Sequence, residues 1–445
     1  MNKKMVQSCF LILLGFCFLM QLALVAAAET NQEFYSNAQA LEKSGDLVQA
    51  VQIMQQLIGS EPQNDLYLAY ASHVERLAGD YKNGLEHAQA AVKINPNVPW
   101  YYVSIALNAY GKGDIYLTKE FGKKVVELGS AAVGEGNYDN VSGVLKNLEG
   151  RKFVITWTLD PAKGYKKNGQ SFFPLPSTDL PYQTAKYSIT GAADVLLPPT
   201  IRIPYKEAKY SVPGVKNLNQ VDLDGNTVAY VTPIKGKNII LTATVETRAF
   251  SYRDQLESYS MDTIDEDLPV DAQIYLGKSE GIDPNSAVIQ EIVAGIKQPS
   301  KVDTIKNILS WLKKNITYKV VDYKNVDDIV QRGYGECGGY SALFTALARG
   351  VGVPARVVWG MVEENDPKMR FAPAGHLKGH AWAEFYLHGK GWIPVEPQAP
   401  ETLGMLPTTY IKMYNYAMKD TRWTTVNFNP SNNMVLMGGD IPEYK

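Results

Sequence analysis

Three textures of hydrophobic and polar positions follow one another along the chain. An unbroken apolar run at 9–20, extended past Gln21 to Val25, is followed by a long stretch with apolar residues at helical spacing. From about Arg151 the period changes. Short alternating runs at 153–157, 228–231 and 239–245 predict strands, and Pro and Gly clusters at 174–176 and 198–199 separate them. Beyond about 285 both periods occur. Tyr340, Leu343, Phe344 and Leu347 fall at i, i+3, i+4 and i+7 and predict a buried helix. The stretches 379–387 and 391–397 alternate as two strands joined by the turn His388-Gly389-Lys390.

The helical stretch repeats itself. Gly-Asp occurs at 45–46, 79–80 and 113–114, each 34 residues from the last, and Pro62 and Pro96 keep the same spacing. Leu57, Ala91 and Val125 share one inward position, and Ala50 and Gly84 share another where helices approach closely. The period resembles tetratricopeptide repeats, which stack helix–turn–helix units into a superhelix. Units at 31–64, 65–98 and 99–132 fit, and Val141, Val144, Leu145 and Leu148 predict a capping helix. Such arrays offer a concave surface for a protein partner. Tyr67, Tyr70, Trp100, Tyr101 and Tyr102 are either part of that surface or core between repeats.

Composition adds limits. With 45% hydrophobic and 20% charged residues in 445, the chain can fill about three cores. A net charge of −2 and the lack of a basic, aromatic-laced run argue against nucleic acid. Lys3 and Lys4, the apolar run and the triplet Ala26-Ala27-Ala28 read as a cleavable secretion signal over 1–28, which predicts an extracytoplasmic protein; membrane attachment would follow only if the segment stayed uncleaved. Cleavage removes Cys9 and Cys17 and leaves Cys337 as the remaining thiol, so no internal disulfide is expected. The expected organisation is multidomain: an all-α superhelix at 29–148, an all-β sandwich-like domain at 151–275 without cysteine or histidine, and an α+β domain at 276–445. Asp262, Asp265, Glu266 and Asp267 read as a solvated linker, and neither a metal nor a cofactor is expected.

The chemistry concentrates in the last domain. Cys337 follows Gly333-Tyr334-Gly335-Glu336 and opens the predicted helix, where the positive helix end favours a thiolate. His380, Trp382, Glu384 and Tyr386 share one strand face, and Trp392, Pro394 and Glu396 share one on the next. A three-residue loop pairs Leu387 with Gly391, which puts Glu396 opposite Trp382 and one diagonal step, about 7–8 Å between the backbones, from His380. Nucleophile, base and orienting carboxylate is the constellation of covalent acyl chemistry. His376 and His388 compete as bases but lie in a loop and a turn.

These stretches resemble the transglutaminase-like superfamily: the Gly-x-Cys helix start, Gly-Val-Pro-Ala-Arg at 352–356, His-Ala-Trp at 380–382, and Gly-Trp-x-Pro-x-acid-Pro at 391–397. Trp311, Asn315 and Tyr318 match an upstream helix and an Ile-x-Tyr segment of that family. The resemblance covers roughly 285–400 and implies a papain-like α+β core with Cys337 as nucleophile, His380 as base and Glu396 in place of the family's usual Asp. It also makes Gln331, six residues before the cysteine, a candidate oxyanion donor.

Two functions follow from these features. One is a thiol enzyme acting on amide bonds of a protein or peptide by hydrolysis or by acyl transfer to an amine. The other is an exported scaffold in which the repeats and a degraded C-terminal domain only bind proteins.

Overall fold

The computed structural model describes residues 30–159, 166–167, 170–177, 180–190, 192–196, 228–234, 237–257, 259, 268–279, 281–364, 376–415 and 435–436. The secretion-signal expectation, the acidic run at 262–267 and the prolines at 198–199 lie outside them. The chain divides into two compact units, 1–146 and 147–445.

The first unit is an array of helix hairpins. It comprises α1 (30–44), α2 (Leu47–Ser60), α3 (Asp65–Ala78), α4 (Tyr81–Ile94), α5 (Pro99–Lys112), α6 (Ile115–Leu128), the short α7 (Ser130–Val133) and α8 (Glu135–Leu148). The recurring Gly-Asp pair has a physical cause. Gly45, Gly79 and Gly113 have φ of 86°, 83° and 91°, a left-handed turn that glycine adopts without strain. Each following aspartate caps the next helix, its carboxylate accepting from the backbone N–H of Gln49, Asn83 or Leu117. One dipeptide thus ends a helix and starts its partner.

Between units the small positions do what their spacing implied. A methyl group added at Gly84 would lie 2.3 Å from Asn108 Oδ1, so only glycine lets α4 and α5 approach this closely. Leu57, Ala91 and Val125 are buried, and Val133 and Val141 close the end of the stack. Of the aromatics considered for the concave surface, Tyr67, Tyr101 and Tyr102 are core instead. The hydroxyls of Tyr101 and Tyr102 are satisfied internally, by Asp65 at 3.0 Å and by the Pro96 carbonyl at 2.7 Å. This answers the polar cost of burying them.

Among the described residues, the second unit holds three four-stranded sheets. β1 (Arg151–Leu159), β4 (Gln183–Thr190), β7 (Ile239–Thr247) and β14 (Val435–Leu436) form one antiparallel sheet in the order β14-β1-β7-β4. β2 (Lys166–Lys167), β3 (Gln170–Pro174), β5 (Ala192–Leu196) and β6 (Val228–Pro233) form a second, ordered β2-β3-β6-β5. The third carries the chemistry: β10 (Ala355–Glu364), β11 (His376–Leu387), β12 (Gly391–Val395) and β13 (Tyr410–Asn415), in the order β12-β11-β10-β13. β8 (Thr317–Tyr318) and β9 (Tyr334–Gly335) form a short parallel pair. The helices of this unit are α9 (Arg253–Glu257), α10 (Val270–Gln273), α11 (Ala287–Ile296), α12 (Lys301–Asn315), α13 (Val326–Arg332) and α14 (Cys337–Gly350).

α14 is the centre of the core. Every residue from Gly338 to Arg349 is buried, with α11, α12 and α13 around it and Ala381, Ala383 and Phe385 of β11 beneath it. The alternation of β11 explains the division of labour: odd positions face α14, and His380, Trp382 and Glu384 face the other way. That opposite face is bonded to the strand-rich region preceding it. Tyr182 donates to Glu384 at 3.2 Å, and Gln183 exchanges hydrogen bonds with the backbone of Lys412 at 2.7 and 2.8 Å. The sequence boundary at 275/276 therefore falls inside one compact unit, and the returning strand β14 ties the tail to β1.

Candidate functional site

Cys337 is the first residue of α14. Its helix starts there because Glu336 is extended (φ −91°, ψ −172°) and its Oε1 caps the Gly339 N–H at 3.2 Å. The half-buried sulfur is faced by the backbone N–H groups of Ala381 and Gly338, so the helix start meets β11 one residue from His380. Strand β12 leaves β11 after the Ala383–Val395 pair, which frees this part of the edge of β11 for the cysteine.

The hairpin has the register expected from its three-residue loop. Leu387 pairs with Gly391, and Gly389 and Gly391 take φ of 70° and 86° in the turn. Glu396 follows the last pair and returns its carboxylate to His380: Nε2 lies 2.5 Å from Glu396 Oε2. Glu396 is buried and its carboxylate is further held by the Gln398 N–H at 3.1 Å and the Tyr410 hydroxyl at 3.3 Å, while its own N–H donates to Thr402 Oγ1 at 3.0 Å. With Nε2 committed to Glu396, Nδ1 is the nitrogen left to act as a base.

The imidazole is also braced by rings. Trp382 lies 6.4 Å away, nearly parallel at 27°, and Tyr410 stands edge-on at 5.7 Å. Trp382 itself fits because position 360 is glycine. A methyl group there would lie 2.3 Å from the indole and 2.2 Å from the Ile411 carbonyl. Gly360→Ala should therefore displace Trp382 and cost about 1–3 kcal/mol by overpacking, a loss readable as a lowered unfolding midpoint.

The electrostatics at the sulfur differ from the expectation that the helix end favours thiolate. Burial pushes the Cys337 thiol up to about 12, helped by the Glu336 carboxylate, whose Oε2 accepts from the Cys337 S–H at 3.0 Å; the two backbone amides pull the other way. Burial, together with a carboxylate bound at the same helix end, outweighs the dipole.

Gln331 is not brought into this arrangement. It stands exposed at the end of α13, two residues after buried Ile329 and so on the opposite side of the helix. The resemblance-based oxyanion role therefore has no geometric support. His388 sits in the hairpin turn, and the side chain of His376 lies outside the described residues. β8 pairs Tyr318 with Gly335, two residues before Cys337. Its hydroxyl is pushed upward by burial and then by the charges of Cys337 and Glu336.

Behind the site lies a buried ion cluster. Glu384 accepts from Lys412 Nζ at 2.7 Å on both oxygens and from Arg356 Nε and Nη2 at 2.9 and 2.7 Å. Burial alone would raise the Glu384 carboxyl, but the Lys412 and Arg356 charges hold it down at about 2. The cluster joins β11, β10 and β13, the strands that carry His380, Gly360 and Tyr410.

A cysteine at the buried start of a central helix, laid against an antiparallel sheet that carries a histidine and its carboxylate, defines a papain-like domain. Residues 286–397 match the family model of the transglutaminase-like superfamily, so that stretch is a transglutaminase-like domain, and an array of helix hairpins precedes it. An uncharacterised protein of Haemophilus influenzae is 30% identical over 148 residues, which span 28% of this chain and 40% of that protein. Among solved structures, a Cytophaga hutchinsonii protein proposed to be a cysteine protease matches at 17% identity and a TM-score of 0.38, over 66% of this chain and 92% of that one. A tetratricopeptide domain from Aspergillus fumigatus matches at 16% identity and a TM-score of 0.24, over 26% and 80% of the two chains.

Proposed function

We propose that this chain is an exported thiol enzyme that cleaves or transfers acyl groups at amide bonds of a protein or peptide. The observation that carries the reading is the 2.5 Å contact from Glu396 to His380 Nε2, made one residue from the backbone amide that faces Cys337. In this reading Cys337 Sγ attacks the carbonyl carbon and its proton passes to His380 Nδ1. Glu396 keeps the ring in the tautomer that leaves Nδ1 free and balances the imidazolium. Collapse of the tetrahedral adduct breaks the C–N bond, and the leaving amine takes the proton from His380. Water then releases an acid, or a second amine forms a new amide.

The test is turnover of peptide amides, with and without an added primary amine, by the purified protein and by Cys337→Ala. Cys337→Ala should abolish turnover at unchanged thermal stability; activity equal to wild type would sink the assignment.

A second reading, a binding scaffold with a silent site, draws on the thiol being held protonated beside Glu336. It predicts no turnover by either protein. In both readings the repeats hold a protein partner. Residues 29–148 should retain a defined protein that a variant with an altered concave surface releases, and equal retention by both would leave the array as architecture only.

A further inference from the structure

Glu336 divides its carboxylate between two tasks. Oε1 caps α14 at the Gly339 N–H, 3.2 Å away, and Oε2 accepts the Cys337 thiol proton at 3.0 Å. The cap keeps the carboxylate in place, because leaving the sulfur would require it to move against its own helix. A methyl group added at Gly338 would lie 2.6 Å from Glu336 Oε1, so glycine at this position gives the carboxylate its room. The thiol proton therefore already has an acceptor other than His380, while His380 Nε2 is committed to Glu396.

We propose that Glu336 is a positioning residue that keeps Cys337 a neutral thiol at rest, so that the proton leaves for His380 only as the sulfur attacks a bound carbonyl. This rests on the reading of Cys337 as nucleophile and gives that site its regulation: no standing thiolate–imidazolium pair, and low reactivity toward adventitious electrophiles and oxidants. In the step itself the S–H bond breaks and the proton goes to His380 Nδ1. The S–C bond forms, and the carbonyl π pair moves onto oxygen.

The other groups around the sulfur fit this assignment. Tyr318 of β8 and Tyr410 of β13 interact electrostatically with Cys337, Tyr323 borders Gly338 from the loop before α13, Lys378 and Glu396 act on Tyr318, and His380 of β11 adjoins Ala381, whose N–H faces the sulfur. Glu396 is occupied by His380, Tyr410 and Gln398. Glu336 is the carboxylate that bonds the sulfur itself.

The test is the rate of alkylation of Cys337 by iodoacetamide against pH, with thiolate absorbance as a second readout and Cys337→Ala as the blank. Wild type should inflect above the ordinary thiol value of about 8.5. Glu336→Gln, whose amide oxygen can still cap Gly339, should lower the inflection by about one unit or more and alkylate roughly tenfold faster at neutral pH. Glu336→Asp, a strong cap with a shorter reach, should fall between the two and serves if the glutamine variant folds poorly. An inflection at or below neutrality in wild type, or one that neither substitution moves, would overturn the proposal. The readout needs no turnover. A shifted inflection in a protein without acyl transfer would defeat the enzymatic reading and leave the assignment of Glu336 standing.

Discussion

Replacing Glu396 by glutamine is expected to lower turnover by about 10³–10⁴-fold with the fold retained. The carboxylate accepts from His380 Nε2 at 2.5 Å, from Tyr410 and from the Gln398 amide, so it is held rigidly against the ring. An amide in its place can present N–H to Nε2. That arrangement favours the tautomer with the proton on Nδ1, where it blocks the base. The loss should fall on kcat, since the imidazolium forms only along the reaction path. Glu396→Asp keeps the charge but shortens the reach, and the strands here are spaced for glutamate. One methylene fewer withdraws the carboxylate by about 1.5 Å. We therefore expect partial activity, between wild type and the glutamine variant. Steady-state kinetics with matched unfolding curves would check both, and full activity in Glu396→Gln would reduce the site to a Cys–His pair.

The second large effect concerns stability. Glu384→Gln should destabilise the protein by about 3–5 kcal/mol, because it leaves Arg356 and Lys412 buried without their counter-charge. The same cluster sets an acid limit. The Glu384 carboxyl lies at about 2 in the fold, against an ordinary 4.5. A depressed carboxyl contributes stability that is complete above the unfolded value and lost as pH falls toward the folded one. Glu384 thus contributes about 3 kcal/mol at neutral pH, lost between roughly pH 4.5 and 2. Unfolding midpoints measured across that window should fall steeply in wild type and flatten in Glu384→Gln. Parallel curves would show that the cluster does not carry the acid sensitivity.

Local geometry was legible in the sequence wherever one short segment sets it. The Gly-Asp period announces a left-handed turn and an N-cap, and both are made within four residues. The three-residue loop at 388–390 sets the register that brings Glu396 to His380, because a strand alternates with period two and a one-residue slip would reverse the face. Contacts that depend on strand order were not legible. Tyr410 and Lys412 sit in a tail that carries no motif, and they reach Glu396 and Glu384 only because β13 lies beside β10. Alternation says that a strand exists, not which neighbour it takes.

Glu336 and Gln331 show the same limit from two sides. Both lie within a few residues of Cys337. The turn between α13 and α14 sends Gln331 to the solvent side and lays Glu336 against the sulfur. The family resemblance pointed to Gln331 as a candidate and passed over Glu336. An acid directly before a helix is a recognisable capping signal, and it was the available clue.

The most direct test of acyl chemistry at Cys337 is intact-mass and peptide-mapping measurement after mixing the protein with an activated peptide ester. The account predicts one acyl group, located on Cys337, absent in Cys337→Ala and formed far more slowly in a folded His380→Ala. Acylation at another residue, or none on a Cys337 that small alkylating agents still reach, would contradict it.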